Sequence, residues 1–493
     1  MEYIIACFCG IMFISFFSRS CSPFYLYAVS YDSSFFTIVG RGINEGKIPY
    51  KDYCDIKGPV FFLWEALGQR LCVGKGGAYL LELIAIVLCC IALVKICNNF
   101  KLSKYAKIII FLIFFIMYVK MLWQGNFLEE YILPLNMFCV LFAVRWIKNT
   151  RRHKLLSFFC GLIFSICVFS KITQAVIVIS LLCMISYYFF MKKNLKDAAI
   201  FYSVFFAGVL LIAAPILFWF YRNNALYDLY IWTWKLAYSR GVNFNYDKLS
   251  VQESTLVWEF CLMPCYLMVI YYVSGIIKRK IQAVKSRLYM IWLFSYAVMC
   301  GFVLHFGSRY SYYLILEMPL VIMEVIFLIR YFKVRHKKKA ELKLISGIMM
   351  VLCFVFLGWF IIEDAGNISY LIDSYNGEVA AQDQDFYYTM KELCAFIPED
   401  ERSDIMSADL GVRFFEVNGL IPSNHFPYNL SYFCGLYGPA QETVYNEVAF
   451  EGHKWAFTEI IDGGYNKSYH ELLNQYYYIV AQGDSFILWH RKG

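Results

Sequence analysis

The sequence predicts an α-helical polytopic membrane protein of about eleven transmembrane helices, with surface helices in its first external loop and a small C-terminal extracytoplasmic α/β domain. Three observations predict it. Of 493 residues, 60% are hydrophobic and only 17% are charged, where an average soluble chain carries roughly a quarter of its residues as charges. Apolar runs long enough to cross a bilayer recur down to residue 362. The charge then divides by region. Residues 364–493 hold 7 basic and 19 acidic side chains, net −12, while the remainder holds 38 and 18, net +20. A basic membrane part with an acidic polar tail means two environments. The composition excludes a soluble enzyme, a disordered scaffold and a nucleic-acid binder.

Eleven spans are read at residues 3–17, 77–96, 106–123, 131–147, 155–170, 174–190, 198–220, 255–277, 288–306, 312–331 and 342–362. The first is short, and Ser18-Arg19-Ser20-Cys21 fits neither a signal-peptidase site nor a lipobox, so it reads as an uncleaved anchor. Alternate loops are basic: Lys95 to Lys107, Arg145 to Lys154, Lys192 to Lys196, Lys278 to Arg287, and seven cations between Arg330 and Lys343. The opposite loops hold single cations, Lys120, Lys171 and Arg309. The positive-inside rule therefore puts the N-terminus in the cytoplasm and the acidic tail outside.

The domains follow from this. Residues 1–362 form a transmembrane domain whose first external loop is 18–76, and 363–493 form an extracytoplasmic α/β domain. In the tail, residues 383–396 read as an amphipathic helix, and 405–408, 476–481 and 486–489 as short strands. Most of the eighteen cysteines lie in apolar runs, where a thiol behaves as a small hydrophobe. Cys21, Cys54, Cys394 and Cys434 fall outside, leaving one disulfide among them open. The sequons at Asn367, Asn429 and Asn466 read as coincidence.

The first external loop is the informative stretch. It holds Tyr31-Asp32-Ser33-Ser34-Phe35-Phe36, then Gly46-Lys47-Ile48-Pro49-Tyr50-Lys51-Asp52-Tyr53-Cys54-Asp55-Ile56-Lys57-Gly58-Pro59. Phe35, Phe36, Ile38, Val39 and Ile43 share one helical face, and Gly46 is placed to stop that helix. Pro59 opens a second apolar helix through Leu71. Taken singly, each polar group has a structural explanation. Asp32 before Ser-Ser reads as an N-cap. Asp52, Asp55 and Lys57 read as a solvated turn, and Glu129 and Glu130 as acids in a first helical turn. Lys171 reads as a snorkelling cation, and His305, Arg309, Tyr312 and Tyr313 as an aromatic belt with one cation. Together they place acids and cations around one external face.

These motifs carry a resemblance. Tyr31 to Phe35, Gly46 to Asp52, Asp55 to Pro59, and Gly125-Asn126 with Glu129-Glu130 resemble type C glycosyltransferases of the bacterial inner membrane. The likeness is to dolichyl-phosphate-mannose–protein mannosyltransferase-like membrane proteins and, more distantly, to lipid A aminoarabinose transferases. It spans residues 1–360. Arg309 to Pro319 follows the family pattern except that Tyr312 stands where a histidine is expected.

The resemblance implies a multi-pass protein of the bacterial cytoplasmic membrane that moves a hexose or pentose from a polyprenyl-phosphate carrier to an extracytoplasmic glycan, lipid or protein. It implies Asp32 as general base, with Asp52 and Asp55 as further catalytic carboxylates. Lys57 and Arg309 would bind the donor phosphate, and Glu129, Glu130, Tyr312 and Tyr313 the substrate. It implies no definite cofactor, although the carboxylates have the oxygens a divalent cation takes. A lipid-linked donor also needs no nucleotide cradle, and neither GxGxxG nor GxxxxGK[ST] occurs in the cytoplasmic loops. Three other readings compete: a lipid-linked glycan flippase or transporter, for which Glu82, Pro134, Pro215, Pro264 and Glu317 stand as intramembrane candidates; a polysaccharide polymerase or ligase; and a non-catalytic membrane assembly protein.

Overall fold

The computed structural model describes residues 1–27, 30–122, 124–149, 154–238, 262–277, 284–306, 310–335, 366–379, 381–407, 411–428, 430–460 and 465–493. The chain opens with α1 (Glu2–Phe17), then α2 (Tyr31–Asn44) and α3 (Pro59–Leu71) in the first loop. The bundle continues as α4 (Lys75–Asn99), α5 (Lys104–Met121), α6 (Leu128–Lys148), α7 (Lys154–Val168), α8 (Val176–Lys192) and α9 (Leu195–Arg222). A short α10 (Leu226–Tyr230) runs on through Leu236. Then come α11 (Met263–Ile277), α12 (Val284–Phe306) and α13 (Met318–Arg335). Helices thus occupy ten of the expected span positions, and the eleventh, 342–362, lies outside the described residues. Among the described residues, five helices are long and apolar enough to cross a membrane: Lys75–Asn99, Leu128–Lys148, Ile172–Lys192, Leu195–Arg222 and Val284–His305.

Two boundaries differ from the sequence reading. The tenth helix starts at Met318, not Tyr312, and Ser311–Leu316 forms a tight 3-10 turn. Pro319 accounts for the shift: it lacks an N–H, so the first turn of a helix, where none is needed, is its favoured place. The cap of α2 is Ser30, not Asp32. The Ser30 side chain accepts from the backbone N–H of Ser33 at 3.3 Å, which makes Asp32 a first-turn acid and not the cap. The helix stop does fall at Gly46, whose φ is +93°.

The C-terminal region carries α14 (Gly366–Tyr375), α15 (Ala381–Ala395), α16 (Val412–Asn418), α17 (Leu430–Leu436), α18 (Gly438–Asn446) and α19 (Tyr465–Tyr476). Its sheet has four strands, β1 (Ile405–Ser407), β2 (Trp455–Glu459), β3 (Tyr477–Gln482) and β4 (Phe486–Arg491), in the order β1-β2-β4-β3. β1 and β2 are parallel, and the other pairs are antiparallel. Its core stacks Phe414 on Phe457 at 4.1 Å and Phe457 on Phe486 at 5.2 Å. Among the described residues, Cys21, Cys54, Cys394 and Cys434 form no disulfide with one another.

Helices in a bilayer gain little from apolar burial, so close backbone approach does the packing. α7 and α9 show how. A Cβ on Gly161 would lie 2.0 Å from the Phe205 carbonyl oxygen, and one on Gly208 would lie 2.2 Å from that of Phe158. Neither backbone has room to yield. Gly161→Ala should therefore cost about 1–3 kcal/mol through overpacking, read as a lower thermal midpoint in detergent. Gly301→Ala is the control, because its nearest neighbour would be 3.6 Å away, and it should leave the midpoint unchanged or raise it slightly.

Candidate functional site

The site begins with a backbone seam. The N–H of Gly58 donates to the Ser170 carbonyl at 2.7 Å, and that of Val60 donates to the Phe169 carbonyl at 3.0 Å. The chain just past the end of α7 has carbonyls that no helical turn satisfies, and the first loop supplies their donors. Only glycine permits this approach, because a Cβ on residue 58 would meet the Phe169 oxygen at 2.1 Å. The seam fixes Lys57 from one side. The Lys57 carbonyl accepts from the Tyr50 hydroxyl at 2.6 Å, and the Lys57 N–H donates to Asp55 Oδ1 at 2.8 Å.

The Lys57 ammonium lies 3.6 Å from Asp55 Oδ2 and 4.5 Å over the Phe36 ring. Burial alone would push this lysine down, but Asp55, Asp32 and Glu129, with the Tyr313 phenol, hold it above its ordinary value. It remains charged at any physiological pH. Lys171 stands close by. Its ammonium bonds Glu129 Oε1 at 2.6 Å and sits 3.5 Å over the Tyr313 ring. Tyr312 stacks on Phe127 at 4.9 Å, just before α6. Asp32, Asp55, Lys57, Glu129, Tyr312 and Tyr313 thus come together, and Lys171 joins them as a paired cation rather than a snorkelling one.

Other candidates are placed differently. Asp52 accepts the Ile48 N–H at 2.5 Å, tying its own turn. Glu130 is buried in the bundle, where it accepts from the Tyr118 hydroxyl and the Phe127 N–H, both at 2.9 Å. It acts there as the N-terminal clasp of α6. Arg309 lies outside the described residues. Among those residues, no cluster of three or more His, Cys, Asp or Glu side chains suits a metal.

The sequence reading missed the contribution of the C-terminal region. The Tyr428 hydroxyl donates to Asp32 Oδ1 at 2.6 Å. Arg413 lies 4.0 Å over the Tyr31 ring and donates to the Tyr31 hydroxyl at 2.5 Å. Ser34 donates to Glu416. The Tyr53 hydroxyl donates to the Pro422 carbonyl, and the Cys54 N–H to that of His425, both at 3.0 Å. Trp232, beyond α10, sits among Phe426, Phe433 and Tyr437. The stretch 422–428 is thus held between the first loop and the α10 segment. A signal for this was present only as tyrosine and arginine in a polar turn, which names no partner.

Neither a protein-family model nor a curated protein matches the sequence. Solved structures do. ArnT from Cupriavidus metallidurans bound to undecaprenyl phosphate superposes with a TM-score of 0.60 at 10% identity, covering 99% of this chain and 97% of that one. The apo state of the same enzyme gives 0.57 at 9% identity, over 99% and 96%. The oligosaccharyltransferase of Archaeoglobus fulgidus gives 0.53 at 13% identity, over 96% of this chain and 72% of that one. The chain has the type C glycosyltransferase fold.

One contact at the docked stretch titrates. His425 Nδ1 lies 2.6 Å from Glu447 Oε1. That hydrogen bond and the charges of Glu447, Glu451 and Asp52 raise the imidazole above its ordinary 6.5, against burial, which lowers it. A raised folded value stabilises fully below 6.5, and the gain fades as the pH rises through the folded value. The thermal midpoint of wild type should therefore exceed that of Glu447→Gln most below pH 6.5, with the gap narrowing as the pH is raised. Melts of both proteins across that range measure it.

Proposed function

We propose that this chain is a membrane glycosyltransferase that transfers a sugar from a polyprenyl-phosphate carrier to a hydroxyl of an extracytoplasmic glycan, lipid or protein. The observation that carries it is a half-buried acid, Asp32, close enough for its charge to act on Lys57, at the loop face of this fold where Lys57 pairs with Asp55 and Lys171 with Glu129. ArnT, of like fold, binds undecaprenyl phosphate, and this supports a lipid-phosphate donor here. The proposal includes an eleven-span topology with the N-terminus in the cytoplasm and the C-terminal region outside, in a bacterial cytoplasmic membrane.

In this reading Asp32 accepts the proton of the acceptor hydroxyl as its oxygen bonds the anomeric carbon. The bond from that carbon to the phosphate oxygen breaks, and its electrons leave with the lipid phosphate. Lys57 faces the charge that builds there, with Arg309 as a second cation from outside the described residues. Fixed cations aimed at developing charge commonly supply the largest catalytic share. Asp55 sets Lys57 by its 2.8 Å bond to the lysine N–H. Glu129, Tyr312 and Tyr313 line the sugar side. Glu130 and Asp52, tied as they are, serve structure more than chemistry.

The transporter reading has less support. Glu82 accepts the Asn126 N–H at 2.6 Å and Glu317 accepts the Cys265 N–H at 3.3 Å. Each of these acids thus spends one carboxylate oxygen on the backbone of another segment.

In membranes supplied with polyprenyl-phosphate-linked sugars, Asp32→Asn should slow release of the sugar from lipid by roughly two to four orders of magnitude. Lys57→Ala should slow it by about two to three orders. Equal turnover by Asp32→Asn and wild type, at equal membrane insertion, would overturn the assignment of the base.

A further inference from the structure

We infer that Tyr428 is a positioning residue for Asp32, so that the site is completed by the C-terminal region; the inference rests on the proposed role of Asp32 as base. A carboxylate on the first turn of a surface helix has free rotation about its side-chain bonds unless something holds it. A general base must instead keep one oxygen on the acceptor proton. Since Ser30 and not Asp32 caps α2, no capping bond fixes the Asp32 carboxylate. The phenol does. It donates to Oδ1 at 2.6 Å across 396 residues of sequence, leaving Oδ2 as the oxygen to take the proton.

The phenol is itself held. Tyr428 is 8% exposed and its ring lies 5.4 Å from that of Phe35, on the same helix as Asp32. The bonds to the carbonyls of Pro422 and His425 fix the backbone leading to it. The Arg413 and Glu416 contacts fix α16 against α2. A stretch whose only task was to anchor the C-terminal region would not need its one buried phenol aimed at the acid. The aromatic ring would serve as well without a hydroxyl.

Tyr428→Phe tests this, because it keeps the ring on Phe35 and removes one oxygen. Losing a hydrogen bond to a charged group should lower kcat about 10-fold, with KM for the lipid-linked donor within about twofold. Tyr53→Phe removes a tie to the same stretch that does not touch Asp32, and should lower kcat by less than Tyr428→Phe does. In an Asp32→Asn background, Tyr428→Phe should cost nothing further, since coupled residues do not add. An unchanged kcat in Tyr428→Phe, with Asp32→Asn impaired, overturns this inference and leaves the base intact. Full turnover by Asp32→Asn overturns the base instead. Equal losses in Tyr53→Phe and Tyr428→Phe reduce the effect to docking and also overturn it. The contact is readable without turnover. With 3-nitrotyrosine encoded at position 428, Asp32→Asn should move the phenol's absorbance titration to lower pH by about one unit, because the neighbouring carboxylate opposes its ionisation. No movement overturns the contact whatever the substrate.

Discussion

Two backbone hydrogen bonds between the first loop and the end of α7 determine where the rest of the site falls. At a membrane face, a carbonyl past the last helical turn has few partners, and leaving it unmet is costly. The Phe169 and Ser170 carbonyls meet the N–H groups of Val60 and Gly58. Because the seam is made of main chain, it sets the loop's height relative to the bundle with no side-chain freedom. Lys57 precedes it by one residue on one strand, and Lys171 follows it by one on the other. Two cations from distant parts of the chain therefore arrive as neighbours through the placement of a glycine and a proline. Pro59, which lacks an N–H, falls between the two donors where no bond is required.

The second constraint comes from the C-terminal region. Its contacts with the first loop are directional: a phenol on Asp32, a guanidinium on Tyr31, a serine on Glu416, and two backbone carbonyls. Apolar contact alone would let the surfaces slide, whereas these bonds are satisfied in one register only. The loop thus has its back set by the bundle and its front set by the C-terminal region. Between these, α2 and α3 are packed through Phe35, Phe36, Phe61 and Phe62, all buried.

Much of this was legible in the sequence where the cause is local. Gly46 and Pro59 bound the two loop helices because their backbone preferences act on their own residues. Three strands of the C-terminal sheet were readable from their short apolar runs. β2 was not: Trp455–Glu459 lies inside the sheet with its first four residues buried, so neither a two-residue nor a helical period marks it. The tenth helix began late because one proline overrode an apolar run. Ser30 took the cap from Asp32 because α2 starts two residues earlier than the Asp-Ser-Ser signal suggested. Tyr428 was beyond reach for another reason. It is one of 40 tyrosines, and nothing local distinguishes the one whose partner lies 396 residues away.

The two lysines differ in a way that their shared surroundings conceal. Lys171 is held at 2.6 Å by Glu129, whereas Lys57 stands 3.6 Å from its carboxylate. Coulomb attraction falls only as the inverse of distance, so both pairs are similar in charge terms. Hydrogen bonding falls far more steeply, and at 3.6 Å little of it remains. Lys171 is thus committed to Glu129 with a directed bond, and its ammonium is covered by the Tyr313 ring. Lys57 has its charge maintained by Asp55 through space, while the directed bonds of Asp55 go to the lysine's own backbone N–H. An anion arriving at this face meets one lysine whose donors are engaged and one whose donors are loosely held. On the proposed reading, Lys57 is therefore the cation that a lipid phosphate takes, and the Glu129–Lys171 pair is the wall against which the sugar is set.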